Sequence, residues 1–171
     1  DDIKLTKNNR HTLVSRMGAI LENASYYDFM SVQQNLKIHS LLYGVEPKEV
    51  DEIVSIVGLK PYLKIKSKKL STGYKQRLGL SIALMGNCRL LLLDEPFNGL
   101  DQKISKELVE TLQSLKIEKK ISMIISTHEI HHLKPIADSL LFMENKKTLS
   151  KKVGNEQSLQ SAYDELMGIS A

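Results

Sequence analysis

Residues 90–96, Leu-Leu-Leu-Leu-Asp-Glu-Pro, decide the fold of this chain. The leucine run is too short for a helix and turn-forming residues bound it, so it predicts a parallel strand covered on both faces. Downstream, Asp101 is placed to cap a helix through Leu115, and residues 121–126 form a second apolar run. This strand, helix, strand order predicts an α/β fold with a parallel sheet and right-handed crossovers.

The rest of the chain continues the alternation of strands and helices. Ser31 and Gln34 have the spacing of a capping box, which predicts a helix through Tyr43 that Gly44 closes in the left-handed conformation. The other predicted elements are a strand at 12–21, helices beginning at Pro47 and at Lys75, strands at 121–126 and 139–143, and a closing helix at 158–167. We therefore expect a helical subdomain at about 26–86, inserted between two parts of an α/β core at about 1–25 and 87–171.

Composition excludes several classes of protein. The chain has 171 residues, is 42% hydrophobic and 26% charged, and carries a net charge of +4. These values are typical of a globular domain, and the charge is too small for a nucleic-acid-binding surface. Its single cysteine, Cys88, forms no internal disulfide and favours a reducing compartment. No apolar run reaches the roughly eighteen residues of a membrane span.

Polar residues stand where the predicted strands end. Glu22 follows the first strand, Asp94 and Glu95 follow the second, and His128 follows the third. Ligands of open parallel sheets bind beyond these carboxyl ends, so the pattern predicts a site there. Adjacent Asp and Glu suit metal-assisted nucleotide hydrolysis, in which one carboxylate serves Mg²⁺ and the other serves the attacking water. Taken alone, the pair also fits loop capping.

Four segments in a fixed order add specificity. They are Leu70-Ser71-Thr72-Gly73-Tyr74-Lys75-Gln76-Arg77, then Leu90 to Pro96, then Gly99-Leu100-Asp101, then His128. Because it carries these four segments in this order, the chain resembles the ATP-binding subunits of ABC transporters. Among those subunits it resembles the ones of bacitracin-resistance and lantibiotic-immunity exporters. The segments correspond to the signature motif, the Walker B strand, the D-loop and the switch histidine of that family, and Glu22 stands at the Q-loop position.

The resemblance implies a P-loop NTPase-like fold and a role for each matched residue. Catalysis would use Glu95 on the attacking water and His128 on the γ-phosphate, and Asp94 and Glu22 would hold Mg²⁺, partly through water. The nucleotide would be contacted by Ser71, Gly73, Tyr74 and Asp101, the signature residues reaching ATP on the opposite subunit from a helix N-terminus.

The resemblance also implies partners. A head-to-tail dimer of ATPase subunits would drive a separate membrane-spanning subunit from the inner face of the cell membrane, with no nucleic acid involved. ATP and Mg²⁺ would be required, and the transported substrate would be of peptide or antibiotic type. A protein of the ABC repair or translation classes is a weaker fit, because the segment between Glu22 and Leu70 is short and only one set of motifs is visible.

The chain departs from the family pattern in several places. Glu22 replaces the usual Gln, Thr72 replaces a glycine of the signature, and Tyr74 replaces its common Gln. No G-x-x-x-x-G-K-[ST] phosphate cradle occurs in the 171 residues. We therefore expect an N-terminally truncated ATPase domain that is inactive or weakly active alone.

Two other functions are also compatible with the sequence. His128-Glu129-Ile130-His131-His132 matches the H-E-x-x-H signature of zinc proteases. A zinc-protease site would need an α-helix that carries both His128 and His132. Pro135 disfavours such a helix, because its ring would clash with the carbonyl of His131. The other candidate is a non-hydrolysing interaction module that keeps the signature and the dimer surface.

Overall fold

A computed structural model describes residues 6–21, 26–144, 147–153, 161, 163 and 164. The helices are α1 (Arg10–Val14), α2 (Val32–Tyr43), α3 (Pro47–Ile56), α4 (Thr72–Ala83) and α5 (Gln102–Ile117), with 3-10 turns at Lys60–Tyr62, Ser67–Lys69 and Ile130–Leu133. The strands are β1 (Met17–Ile20), β2 (Leu90–Asp94), β3 (Ser122–Ser126), β4 (Ser139–Glu144) and β5 (Lys147–Lys152). The chain divides into two compact units, residues 1–127 and 128–171.

The first unit contains a parallel sheet of order β1-β2-β3. This confirms the predicted α/β class. Leu91 and Leu93 of β2 are buried, but Leu90 and Leu92 on the other face are only half-buried, and Ile124 of β3 is 61% exposed. The expectation of strands buried on both faces is therefore wrong for β3, because no described residue of its unit covers the face that carries Ile124.

Local capping signals in the sequence are confirmed. The Ser31 hydroxyl accepts from the Gln34 N–H at 3.2 Å, and the Gln34 side chain accepts from the Ser31 N–H at 2.8 Å. Gly44 ends α2 with a φ of 65°, a conformation that costs glycine little. The helix beginning at Pro47 is also present, and the third predicted helix begins at Thr72, three residues earlier than expected.

The strand predicted at 12–21 is wrong in its first half. Residues 10–14 form α1, which has no buried residue, and β1 begins only at Met17. The partner strand sets this limit, since the register pairs Met17 with Leu90 at the start of β2. β-branched residues such as Thr12 and Val14 predict a strand only where a neighbouring strand is present to pair with them.

The second unit contains β4 and β5, which form an antiparallel hairpin. The strand predicted at 139–143 exists, but the expectation that it joins the parallel sheet is wrong. Its residues Leu141 and Met143 are 66% and 73% exposed, while Phe142 lies edge-on to Tyr163, with ring centroids 6.2 Å apart. The closing helix predicted at 158–167 falls mostly outside the described residues, of which 161, 163 and 164 are helical.

The core of the first unit lies between the sheet and helices α4 and α5. The centre of α4 is buried, as are Leu108, Leu112 and Leu115 of α5 and Phe97 in the loop between β2 and α5. Gly18 of β1 lies so close to α4 that an added Cβ would collide with the Ala83 carbonyl. Cys88 is buried here, and burial raises the pKa of its thiol. Among the described residues no helix has both the length and the hydropathy to cross a bilayer.

Candidate nucleotide and metal site

The carboxyl end of the sheet holds Asp94 beside Ser126. The two residues are neighbours in the parallel register of β2 and β3, and the Ser126 hydroxyl donates to Asp94 Oδ1 at 2.5 Å. The same hydroxyl oxygen accepts from the Glu95 N–H at 3.3 Å, and the Ser126 carbonyl accepts from that N–H at 3.0 Å. Ser126 thus contacts the predicted metal ligand Asp94 and the backbone of the predicted catalytic residue Glu95. Sequence reasoning missed it, although its place at the end of the adjacent strand was a usable signal.

Glu95 turns the chain sharply away from the sheet. Its φ is 44°, in the left-handed region that non-glycine residues seldom occupy. The buried residues Pro96 and Phe97 follow, and the Asn98 N–H donates to the Glu95 carbonyl at 3.1 Å. The two carboxylates differ in exposure: Asp94 is exposed at the end of the strand, and Glu95 is half-buried. This arrangement supplies the hard oxygen ligands that Mg²⁺ requires.

The N-terminus of α4 is a second group of predicted site residues. Ser71 is its N-cap, is exposed, and makes no side-chain capping hydrogen bond. Gly73 is buried, and it lies so close to α5 that an added Cβ would overlap Ile104 Cγ2. The close approach of two helices therefore explains this glycine independently of any nucleotide.

Asp101 lies next to the start of α4. Its carboxylate caps α5 by accepting from the Ile104 N–H at 2.9 Å, as predicted. A Cβ on Gly99 would lie 3.9 Å from Thr72 Cγ2, so the loop before α5 runs alongside the first turn of α4. The structure thus brings together Ser71, Gly73 and Asp101 around two adjacent helix N-termini, where the helix dipoles favour anions.

Tyr74 faces another tyrosine. Its ring centroid is 3.9 Å from that of Tyr62, and Arg77 Cζ is 5.8 Å from the Tyr74 ring. A side-chain hydrogen bond with Tyr62, followed by burial, raises the pKa of Tyr74 above its ordinary value of 10.0. The side chain is therefore already engaged within its own unit.

Arg77 is a residue whose role sequence reasoning missed. Its side chain is 9% exposed, donates to the Val57 carbonyl at 2.8 Å, and forms a 2.7 Å ion pair with Glu107 of α5. The guanidinium joins the end of α3, helix α4 and helix α5. The sequence places an Arg four residues after Gly73 on α4, but its contact with Glu107 could be predicted only with knowledge of where α5 lies.

The remaining predicted residues lie in different parts of the chain. His128 begins the second unit and its side chain is 68% exposed. Glu22 lies outside the described residues. Residues 130–133 form a 3-10 helix, so the α-helix on which His128 and His132 would have to lie for a zinc protease is not present there.

A cavity of about 500 Å³ lies at the other end of the strands. Asn87, Cys88 and Arg89, which precede β2, line it, together with Ile121 before β3. It is therefore separate from the carboxyl edge that carries Asp94.

Comparison with known proteins identifies the family. The ABC transporter family profile matches residues 1–98, more than half of the chain. The chain belongs to the ABC transporter family. This confirms the resemblance drawn from the signature and Walker B segments, and with it the P-loop NTPase-like fold.

Relatives within the ABC family are of the expected type. The bacitracin transport ATP-binding protein BcrA of Bacillus licheniformis is 35% identical over 144 residues, which cover 84% of this chain and 47% of that protein. The lantibiotic transport ATP-binding protein SrtF of Streptococcus pyogenes is 33% identical over 150 residues, covering 87% of this chain and 65% of that protein. The chain thus spans about half to two thirds of the length of these ABC relatives.

Solved structures show the same fold. An ATP-binding subunit of an ABC transporter superposes with a TM-score of 0.75 at 22% identity, covering 94% of this chain and 72% of that one. The ATP-binding cassette MJ0796, in a dimeric post-hydrolysis state bound to ADP and phosphate, gives a TM-score of 0.72 at 18% identity, covering 89% of this chain and 71% of that one.

Proposed function

We propose that this chain is part of an ABC ATPase subunit that binds and hydrolyses ATP to energise export of a peptide or antibiotic. The observation that carries the proposal is the carboxylate pair at the end of β2. Asp94 stands exposed at the strand end, and Glu95 follows it half-buried in a left-handed turn, which suits one carboxylate to the metal and the other to the attacking water.

Mg²⁺ fits the oxygen donors at this edge, where it would neutralise phosphate charge. Asp94 would hold it with Glu22, partly through water, and the Ser126 hydroxyl would fix the Asp94 carboxylate by the hydrogen bond to Oδ1. Glu95 would orient and deprotonate the water, and His128 would contact the γ-phosphate. In this proposal Ser126 acts as a positioning residue, since it touches Asp94 and the Glu95 backbone.

The start of α4 would contact ATP that is held by the opposite subunit. The Ser71 hydroxyl is not used for capping, and the first N–H groups of a helix point outward with a positive dipole. Gly73, Tyr74 and Asp101 lie within the same two helix starts. A head-to-tail dimer would therefore pair these residues with the carboxylates of the other subunit.

A row of aromatic rings gives the proposed contact with a membrane-spanning subunit. Phe29 and Tyr27 have centroids 6.0 Å apart, and the row continues through buried His39 to Tyr43 at steps of 6.4 Å. Phe29, Tyr27 and Tyr43 are 66%, 44% and 53% exposed. Such a surface suits an apolar partner segment at the cytoplasmic face of the membrane.

The Glu95→Gln variant of the complete ATP-binding subunit tests the proposal. We expect turnover to be lost while ATP binding is kept, because the amide keeps the shape but removes the base. Glu110→Gln, an exposed position on α5, is the matched control and should hydrolyse normally. Full turnover by Glu95→Gln would contradict the assigned role.

The 171-residue chain itself should show little turnover, because its sequence has no G-x-x-x-x-G-K-[ST] to hold the β- and γ-phosphates. Calorimetry with Mg²⁺-ATP measures whether it still binds nucleotide. Phosphate release at the rate of a complete subunit would overturn this expectation. For the substrate, expression of the complete transporter should raise resistance of a sensitive host to bacitracin or a lantibiotic.

A further inference from the structure

The segment His128-Glu129-Ile130-His131-His132 gathers three imidazoles around one carboxylate. Glu129 Oε2 lies 3.1 Å from His132 Nε2 and 4.0 Å from His131 Nε2, and Glu129 Oε1 lies 3.9 Å from His128 Nε2. The rings of His131 and His132 have centroids 4.0 Å apart. The proposed ATPase function uses only His128 of this group.

The local backbone explains why these side chains converge. Residues 130–133 form a 3-10 helix, in which positions three apart lie above one another, so Glu129 at the N-cap and His132 share one side. Leu133 is buried, and its carbonyl accepts from the Ile136 and Ala137 N–H groups, both at 2.8 Å. The segment is therefore fixed at its far end, while the His131 side chain remains 70% exposed.

The distances suit a single ion. One ligand atom from each of Glu129, His131 and His132 lies within 4.8 Å of the others. Tetrahedral zinc with bonds of about 2.0–2.2 Å places its ligand atoms about 3.4 Å apart. A modest rotation of these side chains would bring their ligand atoms to that spacing. Imidazole nitrogen with one carboxylate favours zinc, cobalt, nickel or copper over Mg²⁺ or Ca²⁺.

We propose that Glu129, His131 and His132 form a binding site for a divalent transition-metal ion of the zinc class, with water at the remaining position. This site differs from the zinc-protease pattern, which would pair His128 with His132 on an α-helix. It also differs from the magnesium site at the carboxyl end of the sheet in its ligand chemistry, because two of its three ligands are nitrogen.

Calorimetric titration of the chain with Zn²⁺ in the absence of nucleotide tests the proposal. We expect saturable binding of one ion, and Co²⁺ in its place should give the visible absorption of a four-coordinate nitrogen and oxygen site. His131→Ala and His132→Ala should each weaken the Zn²⁺ affinity at least about tenfold. Removing a direct ligand costs more metal affinity than removing a residue that only hydrogen-bonds to a ligand, which already costs about tenfold or more. His11→Ala, an exposed histidine on α1, is the matched control and should bind as the unaltered chain does.

Two results would overturn the site. One is the absence of saturable binding to the folded chain, and the other is an affinity in His131→Ala and His132→Ala equal to that of His11→Ala. Far-ultraviolet circular dichroism of each variant confirms that it is folded, and His131, exposed as it is, can be replaced without loss of core packing. The measured quantity is Zn²⁺ affinity in the absence of nucleotide. A chain that does not bind Zn²⁺ would therefore leave the ATPase proposal intact, and a subunit that does not hydrolyse ATP would leave the measured Zn²⁺ binding intact.

Discussion

Ser126 holds Asp94 by a hydrogen bond across two neighbouring strands, from its hydroxyl to Asp94 Oδ1 at 2.5 Å. A hydrogen bond to a charged group contributes about 1.5 to 3 kcal/mol, and the exposure of this pair places it at the low end. We therefore expect Ser126→Ala to lower ATP turnover of the complete subunit about tenfold, which corresponds to about 1.4 kcal/mol.

Ser126→Thr, which keeps the hydroxyl, should retain most of that turnover. Ser122→Ala removes an exposed serine at the other end of β3 and serves as the control. Phosphate release measured under saturating ATP decides the matter. Equal rates for Ser126→Ala and Ser122→Ala would show that the hydroxyl does not position Asp94.

Gly73→Ala should destabilise the chain, in spite of the higher helix propensity of alanine. The added methyl would overlap Ile104 Cγ2, and such overpacking costs about 1–3 kcal/mol against a propensity gain of about 1 kcal/mol. Urea unfolding gives the change in free energy. The double variant Gly73→Ala with Ile104→Ala should lose less free energy of unfolding than the sum of the two single variants. The reason is that Ile104→Ala removes the Cγ2 atom with which the added methyl group would collide. Strict additivity would mean that the two helices do not meet at this point.

Arg77→Ala should cost more stability than Glu107→Gln. Loss of the guanidinium leaves the Val57 carbonyl and the Glu107 carboxylate without their partner, and we expect about 2–3 kcal/mol, since Glu107 is 38% exposed and is partly screened by water. Glu107→Gln keeps an acceptor for Arg77 and should cost about 1 kcal/mol. Chemical unfolding of both variants compares them. The reverse order would place the main contribution in the charge of Glu107.

The contact between Tyr62 and Tyr74 should make the free energy of unfolding depend on pH in the alkaline range. The hydrogen bond raises the pKa of Tyr74, so the folded state binds its proton more tightly than the unfolded state does. This contribution is complete below the ordinary pKa of 10.0 and is lost as the pH rises through the higher folded value. Tyr62→Phe should lower the Tyr74 pKa, as followed by ultraviolet difference spectroscopy. An unchanged titration would rule out the hydrogen bond as the cause.

Local signals predicted the elements that depend on near neighbours. The Ser31 capping box, the Gly44 stop and the Asp101 cap are all present, because each requires only residues within one turn. The leucine run of β2 and the order of the motifs likewise indicated the parallel sheet and the family. These features are written in short stretches of sequence and need no knowledge of the tertiary fold.

Other features depended on distant contacts and were not predictable. Thr12 and Val14 resemble a strand in composition, yet β1 starts at Met17, where the register with β2 begins. The antiparallel pairing of β4 depended on β5, whose polar sequence gave no strand signal. Ser126 and Arg77 gained their roles from β2 and α5, which reach them only in the folded chain.

The close contacts along α4 and α5 have a mechanical consequence. Gly73 meets Ile104 and Arg77 bonds Glu107, so the two helices run side by side in the same direction and are held at two successive turns. Both contacts would resist a tilt of one helix relative to the other. Ser71 and Asp101, which begin these two helices at the same end of the pair, would therefore keep their spacing when a partner displaces either of them.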